Sequence, residues 1–185
     1  MENIKIVAIG DSITSGYPYK PYQSWIAQAA KRLGFRYVNR GVNGDTTEGM
    51  VSRFAHHVLR HSPTHVIIMG GSNDAFQGVD TAAVVANIEK MVLMALEKGI
   101  VPFVGIPIPC NESPEEEFLS RYRSGIRKMA EVREVTILDF HSIMVDETGK
   151  NIIAGLYDGD VHPNEAGYGV MADFACEKLA LAFQA

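Results

Sequence analysis

Short apolar runs, mostly β-branched, alternate along the chain with longer stretches whose apolar positions recur every three to four residues. Lys5–Ile9, Tyr37–Asn39, His65–Met69, Val101–Gly105 and Val135–Leu138 make up the first set. Ser24–Leu33, Thr47–Leu59, Thr81–Lys98, Glu115–Ala130 and Glu165–Phe183 make up the second. A strand that is apolar on both faces belongs in a parallel sheet covered on both sides, because a sheet with one wet face alternates apolar and polar residues. The pattern therefore predicts α/β architecture: a three-layer α/β/α sandwich around a five-stranded parallel sheet. A first helix that returns to a sheet edge predicts flavodoxin-like strand order. No repeat, linker or low-complexity tract interrupts residues 1–185, so a single domain is expected.

Composition narrows the field without choosing a function. At 46% hydrophobic and 21% charged residues, the chain has the balance of a globular protein and not of a disordered one. A formal net charge of -5 argues against a nucleic-acid partner, which would call for a concentrated basic face. Met1-Glu2-Asn3-Ile4-Lys5 lacks the basic and apolar regions of a signal peptide, and no apolar run nears the ~18 residues of a membrane span. Two cysteines, Cys110 and Cys176, make no disulfide framework. A cytoplasmic location is the expectation.

Polar loops follow the carboxyl ends of the strands, where open α/β sheets place their ligands. They are Gly10-Asp11-Ser12-Ile13-Thr14-Ser15-Gly16, Gly41-Val42-Asn43-Gly44-Asp45-Thr46-Thr47 and Gly70-Gly71-Ser72-Asn73-Asp74. A further loop, Tyr157-Asp158-Gly159-Asp160-Val161-His162-Pro163-Asn164, precedes the final helical pattern. Each alone reads as an ordinary turn or helix cap. Together they supply the parts of acyl transfer. A serine hydroxyl becomes nucleophilic when a near-neutral base takes its proton, a carboxylate can orient that base, and preorganised donors hold the oxyanion.

Gly10-Asp11-Ser12-Ile13-Thr14, Gly44 in Asn43-Gly44-Asp45-Thr46, Asn73 in Gly71-Ser72-Asn73-Asp74 and His162-Pro163-Asn164 resemble, in order, the four signature blocks of the SGNH, or GDSL-type, hydrolases. With the α/β pattern, the resemblance covers essentially the whole chain. It implies a flavodoxin-like fold and a serine esterase, lipase or acylhydrolase that needs no metal or cofactor. It implies Ser12 as nucleophile and His162 as general base. It also implies an oxyanion hole made by the backbone N–H groups of Ser12 and Gly44 and the amide of Asn73. The partner would be a small-molecule ester or thioester. An acyltransferase or a carbohydrate deacetylase would use the same site, and a non-catalytic flavodoxin-like binding module would leave the His162 loop without a purpose. A homo-oligomer is compatible with the sequence.

The match breaks at the third member of the triad. The family places its acid three residues before the histidine, where this chain has Gly159. Asp158 fits if a residue has been inserted, and Asp160 if one has been lost. The Asp158-Gly159 pair, similar to the family's Asp-Gly-x-His, favours Asp158.

Other features read as structural. His57 and His61 stand four apart on a helix without an acidic or cysteine companion, and His56 breaks a single-face arrangement, so surface roles are expected. His141 is expected in a cap or core, and Asp11, Asp45 and Asp74 in shaping loops. Nothing pairs Cys110 with a base. Glu115-Glu116-Glu117 reads as a helix N-terminus complementing its dipole. Tyr17-Pro18-Tyr19-Lys20-Pro21-Tyr22 and the Asn111–Arg123 stretch are candidate specificity elements, the second as a flap or dimer contact.

Overall fold

The computed structural model describes residues 3–184. Strands β1 (Lys5–Gly10), β2 (Arg36–Gly41), β3 (His65–Met69), β4 (Val101–Gly105) and β5 (Thr136–Leu138) form one parallel sheet in the order β2-β1-β3-β4-β5. This is the flavodoxin-like order, in which the chain crosses back once and then steps outward. The helices are α1 (Ser12–Ser15), α2 (Trp25–Leu33), α3 (Thr47–His57), α4 (Ser72–Phe76), α5 (Thr81–Leu96), α6 (Ser113–Val132) and α7 (Glu165–Ala182). No helix among the described residues is long and apolar enough to cross a membrane.

Alternation along the strands feeds two cores. Ile6 and Ala8 of β1, Ile67 of β3 and Phe103 of β4 pack with Trp25 of α2 and Tyr168 and Met171 of α7. The intervening residues Val7, Ile9, Val66, Ile68 and Val104 face the other way, onto Met50 and Phe54 of α3, Ile88 of α5 and Tyr122 of α6. Every residue named in these two clusters is buried, which is why the strands read as continuous apolar runs. β2 departs from this: it spans Arg36–Gly41, longer than Tyr37–Asn39, and none of its residues is buried. At an edge, polar residues such as Asn39 and Arg40 are tolerated, so apolar content underestimates the strand.

The short helices α1 and α4 were not legible in periodicity, since four or five residues hold barely one turn. Both follow directly on the adjacent strands β1 and β3, which pair Gly10 with Met69 at their carboxyl ends. β1 and β3 flank the point where the chain reverses across the sheet, and the crevice there opens between their loops. From Asp139 to Asn164 the chain is irregular, pinned by bridges between Val145 and Ile152 and between Tyr157 and Pro163.

Candidate active site

The turn after β1 closes on a glycine because nothing larger fits. A Cβ on Gly10 would lie 2.2 Å from Thr14 Oγ1 and 2.5 Å from the Met69 carbonyl oxygen. Asp11 then caps α1, its Oδ1 accepting from the Ile13 N–H at 2.9 Å. Asp11 is buried, and burial pushes its carboxyl up to about 6 against the pull of the Ile13 N–H, with the neighbouring Asp74 adding to the rise. This tight turn presents Ser12, only 8% exposed, at the first position of α1.

Ser12 Oγ lies 2.9 Å from His162 Nε2, across 150 residues of sequence. His162 is half-buried, and burial holds its imidazole below the ordinary value of 6.5, favouring the neutral ring that can accept a proton. The Tyr17 ring meets the imidazole edge-on with centroids 4.9 Å apart. Tyr17 is itself held from α7, where the Tyr168 hydroxyl donates to the Tyr17 carbonyl at 2.7 Å.

Gly44 and Asn73 join this pair around one pocket of about 240 Å³, with Tyr17 and Phe76 among its walls. Gly44 has φ +78°, a left-handed conformation that glycine adopts without penalty, and its backbone reaches the pocket unshielded by a side chain. Asn73 Nδ2 donates to the Asp45 carbonyl at 2.9 Å. A primary amide has two N–H donors, so one fixes the side chain and the other is left for a ligand. Buried Asp74 ties α4 to α3 by accepting from the Thr47 N–H at 3.0 Å and the Thr47 hydroxyl at 2.6 Å. The expectation that Asp11 and Asp74 shape loops matches these bonds.

Neither candidate acid meets His162. Asp158 Oδ2 accepts from the Tyr19 hydroxyl at 2.8 Å, and Oδ1 from Asn164 Nδ2 at 3.4 Å. Asp160 contributes its backbone carbonyl, which accepts from the Asn111 N–H at 2.8 Å. Both line a second hollow beside His162, and among the described residues no hydrogen bond joins either carboxylate to the imidazole. Tyr19 belongs to the aromatic loop, so that loop is tied to the His162 loop through Asp158.

Val161 also lines the pocket, and neither it nor Phe76 stands out in the sequence as a site residue. A signal for Phe76 did exist: it lies three residues after Asn73, and residues three apart on a helix share a face. His57 accepts from Arg53 and His61 from Arg40, each beside a guanidinium and held neutral by burial and that charge. His141 is partly buried, and burial lowers its imidazole. Cys110 is buried and its thiol is pushed up to about 11, leaving it inert at neutral pH. The Asn111–Arg123 stretch forms the start of α6, where buried Arg123 pairs with Glu116.

A family model described as the GDSL-like lipase/acylhydrolase family matches residues 8–170. An arylesterase from Vibrio mimicus is 24% identical, over 95% of this chain and 88% of its own length. An acetylxylan esterase from Geobacillus stearothermophilus is 27% identical, over 91% of this chain and 90% of its own. Among solved structures, a G-D-S-L family protein from Desulfitobacterium hafniense superposes with a TM-score of 0.89 at 30% identity, covering 95% of this chain and 99% of that one.

Proposed function

Because this chain belongs to the GDSL-like lipase/acylhydrolase family, and with it to the ester-hydrolysing enzymes, we propose that it cleaves small acyl esters through an acyl-enzyme on Ser12. The observation that carries this reading is the 2.9 Å approach of Ser12 Oγ to His162 Nε2 at the mouth of a pocket that Gly44 and Asn73 also line.

In the first step His162 Nε2 takes the Ser12 proton as Oγ bonds to the ester carbonyl carbon. The carbonyl π electrons move onto oxygen, where the backbone N–H groups of Ser12 and Gly44 and the free N–H of Asn73 receive the charge. Collapse expels the alkoxide, which takes the proton back from the imidazolium and leaves as the alcohol. Water then repeats the sequence on the acyl-Ser12, with His162 again as base, and releases the acid. None of these steps requires a metal or an organic cofactor. The pocket suits a short acyl group, and acetylated sugars join simple acetates among the substrates to test, given the acetylxylan esterase among the relatives.

Labelling tests the nucleophile and the base together. An organophosphorus probe is expected to attach to Ser12, identified by mass spectrometry of the modified peptide. The competent base is neutral His162, and burial lowers its pKa, so the labelling rate should be half-maximal below pH 6.5 and level above it. An adduct on another residue would remove the assignment of Ser12. A half-maximal rate above pH 7 would mean that a carboxylate stabilises the imidazolium.

The base works in this reading without a carboxylate on its Nδ1. Tyr17 against the ring, and the Asn111 N–H on the Asp160 carbonyl, hold the loop instead. Asp158→Ala and Asp160→Ala are each expected to lower kcat less than about tenfold, against roughly 10⁴-fold where an aspartate orients the ring. Steady-state hydrolysis of p-nitrophenyl acetate measures both. A loss near 10⁴-fold in either variant would identify that residue as the missing acid.

A further inference from the structure

Three segments supply the donors of the proposed oxyanion hole, and one side chain outside the pocket touches two of them. Arg53, on the second turn of α3, reaches the carboxyl ends of β1 and β2 and is only 14% exposed at its side chain. Its Nη2 donates to the Gly10 carbonyl at 3.0 Å, two residues before Ser12. Its Nε donates to Asp45 Oδ2 at 2.6 Å, one residue after Gly44. Its Nη1 donates to the Arg40 carbonyl at 2.9 Å near the end of β2, and lies 3.0 Å from His57 Nδ1.

The third segment joins through Asp45. The Asp45 carbonyl is the acceptor that fixes the Asn73 amide at 2.9 Å, while the Asp45 carboxylate is the partner of Arg53. The packing is close: a Cβ on Gly49 would fall 2.0 Å from Asp45 Oδ1, so the first turn of α3 carries a glycine where the carboxylate folds against it. One planar guanidinium thus spans the Ser12 turn and the Gly44 loop directly, and the Asn73 helix through one residue. A lysine ammonium is a single point and lacks the fork that reaches three separated acceptors.

We infer that Arg53 is a positioning residue for ester hydrolysis, setting the relative placement of the Ser12, Gly44 and Asn73 donors without touching substrate. The inference rests on the oxyanion hole proposed above. Its energetic logic is that oxyanion donors contribute through preorganisation, so a displacement of about an ångström costs rate far more than it costs ground-state binding. The ordinary alternative is a structural ion pair that supports folding alone.

The two roles predict different kinetics. Arg53→Ala is expected to lower kcat for p-nitrophenyl acetate by about 10- to 100-fold while KM changes less than about threefold. Arg53→Lys should recover little of the loss, and added guanidinium ion at millimolar concentration should recover part of it in Arg53→Ala. The loss should also shrink in an Asn73→Ala background, because a donor that is absent cannot be misplaced. Unchanged kcat per folded molecule with a lowered Tm would overturn the inference. So would a full and independent loss in the Asn73→Ala background. If Arg53→Ala does not fold, Arg53→Lys decides: wild-type kcat would overturn the inference, and a kcat deficit at unaltered KM would uphold it. Failure of the underlying oxyanion hole is separately visible, as an Asn73→Ala variant of wild-type rate.

Discussion

Ser12→Ala is expected to lower kcat for p-nitrophenyl acetate by about 10⁶-fold, and His162→Ala by a similar factor. The size follows from the division of labour across their 2.9 Å contact. In the proposed mechanism there is no acyl-enzyme without Oγ, and without Nε2 the hydroxyl keeps its proton, so either loss removes the same step. The double variant should therefore be no slower than the single ones, with residual activity over water supplied by the oxyanion donors and substrate binding. Ser12→Ala removes a single oxygen from a buried site, so circular dichroism and Tm should scarcely change. A double variant that multiplies the two losses, or a Ser12→Ala enzyme within about a hundredfold of wild type, would require another nucleophile.

Asn73→Ala carries the second-largest effect, about 10²- to 10³-fold in kcat, or roughly 2.7–4 kcal/mol of transition-state stabilisation. KM should move little, since the oxyanion exists only after attack has begun. Asn73→Asp discriminates more sharply. It preserves shape but turns both donors into acceptors, setting a negative charge against the Asp45 carbonyl and against the developing oxyanion. Its kcat should fall below that of Asn73→Ala. A variant with Asp at position 73 that is as fast as the Ala variant would mean that the amide serves only to hold Asp45.

Much of the fold was present in patterning. The runs from Lys5 to Ile9 and from His65 to Met69 are buried on both faces or nearly so, and continuous apolarity then specifies a central parallel strand. Periodicity marks β2 only in part and α1 and α4 not at all, for two reasons. An edge strand need not be apolar, and a helix of one turn owes its existence to its cap and its tertiary contacts and not to periodicity. The loops carrying Ser12, Gly44, Asn73 and His162 could be recognised because each follows a strand or opens a helix and because they stand in a familiar order.

The third partner of the base shows where reading by spacing ends. Asp158-Gly159-Asp160 offers a carboxylate on either side of the expected position, and local likeness favours Asp158. Whether a carboxylate reaches an imidazole is settled by the path of the loop, which residues such as Tyr19, more than a hundred positions away, help to set. The same holds for Arg53. In the sequence it is one basic residue on a helix, and nothing in its neighbours marks it as the partner of Gly10, Arg40 and Asp45.

The sequence by itself determined the layers of the fold, the family, and the polar loops that carry the candidate site, because hydrophobic period and short motifs are local properties of the chain. Only the tertiary structure decided that Ser12 and His162 are within hydrogen-bond reach, that Asp158 is bound to Tyr19 and Asn164, and that Arg53 joins Gly10 to Asp45. Those are contacts between segments far apart in sequence, and their distances depend on how whole elements pack, which no local spacing encodes.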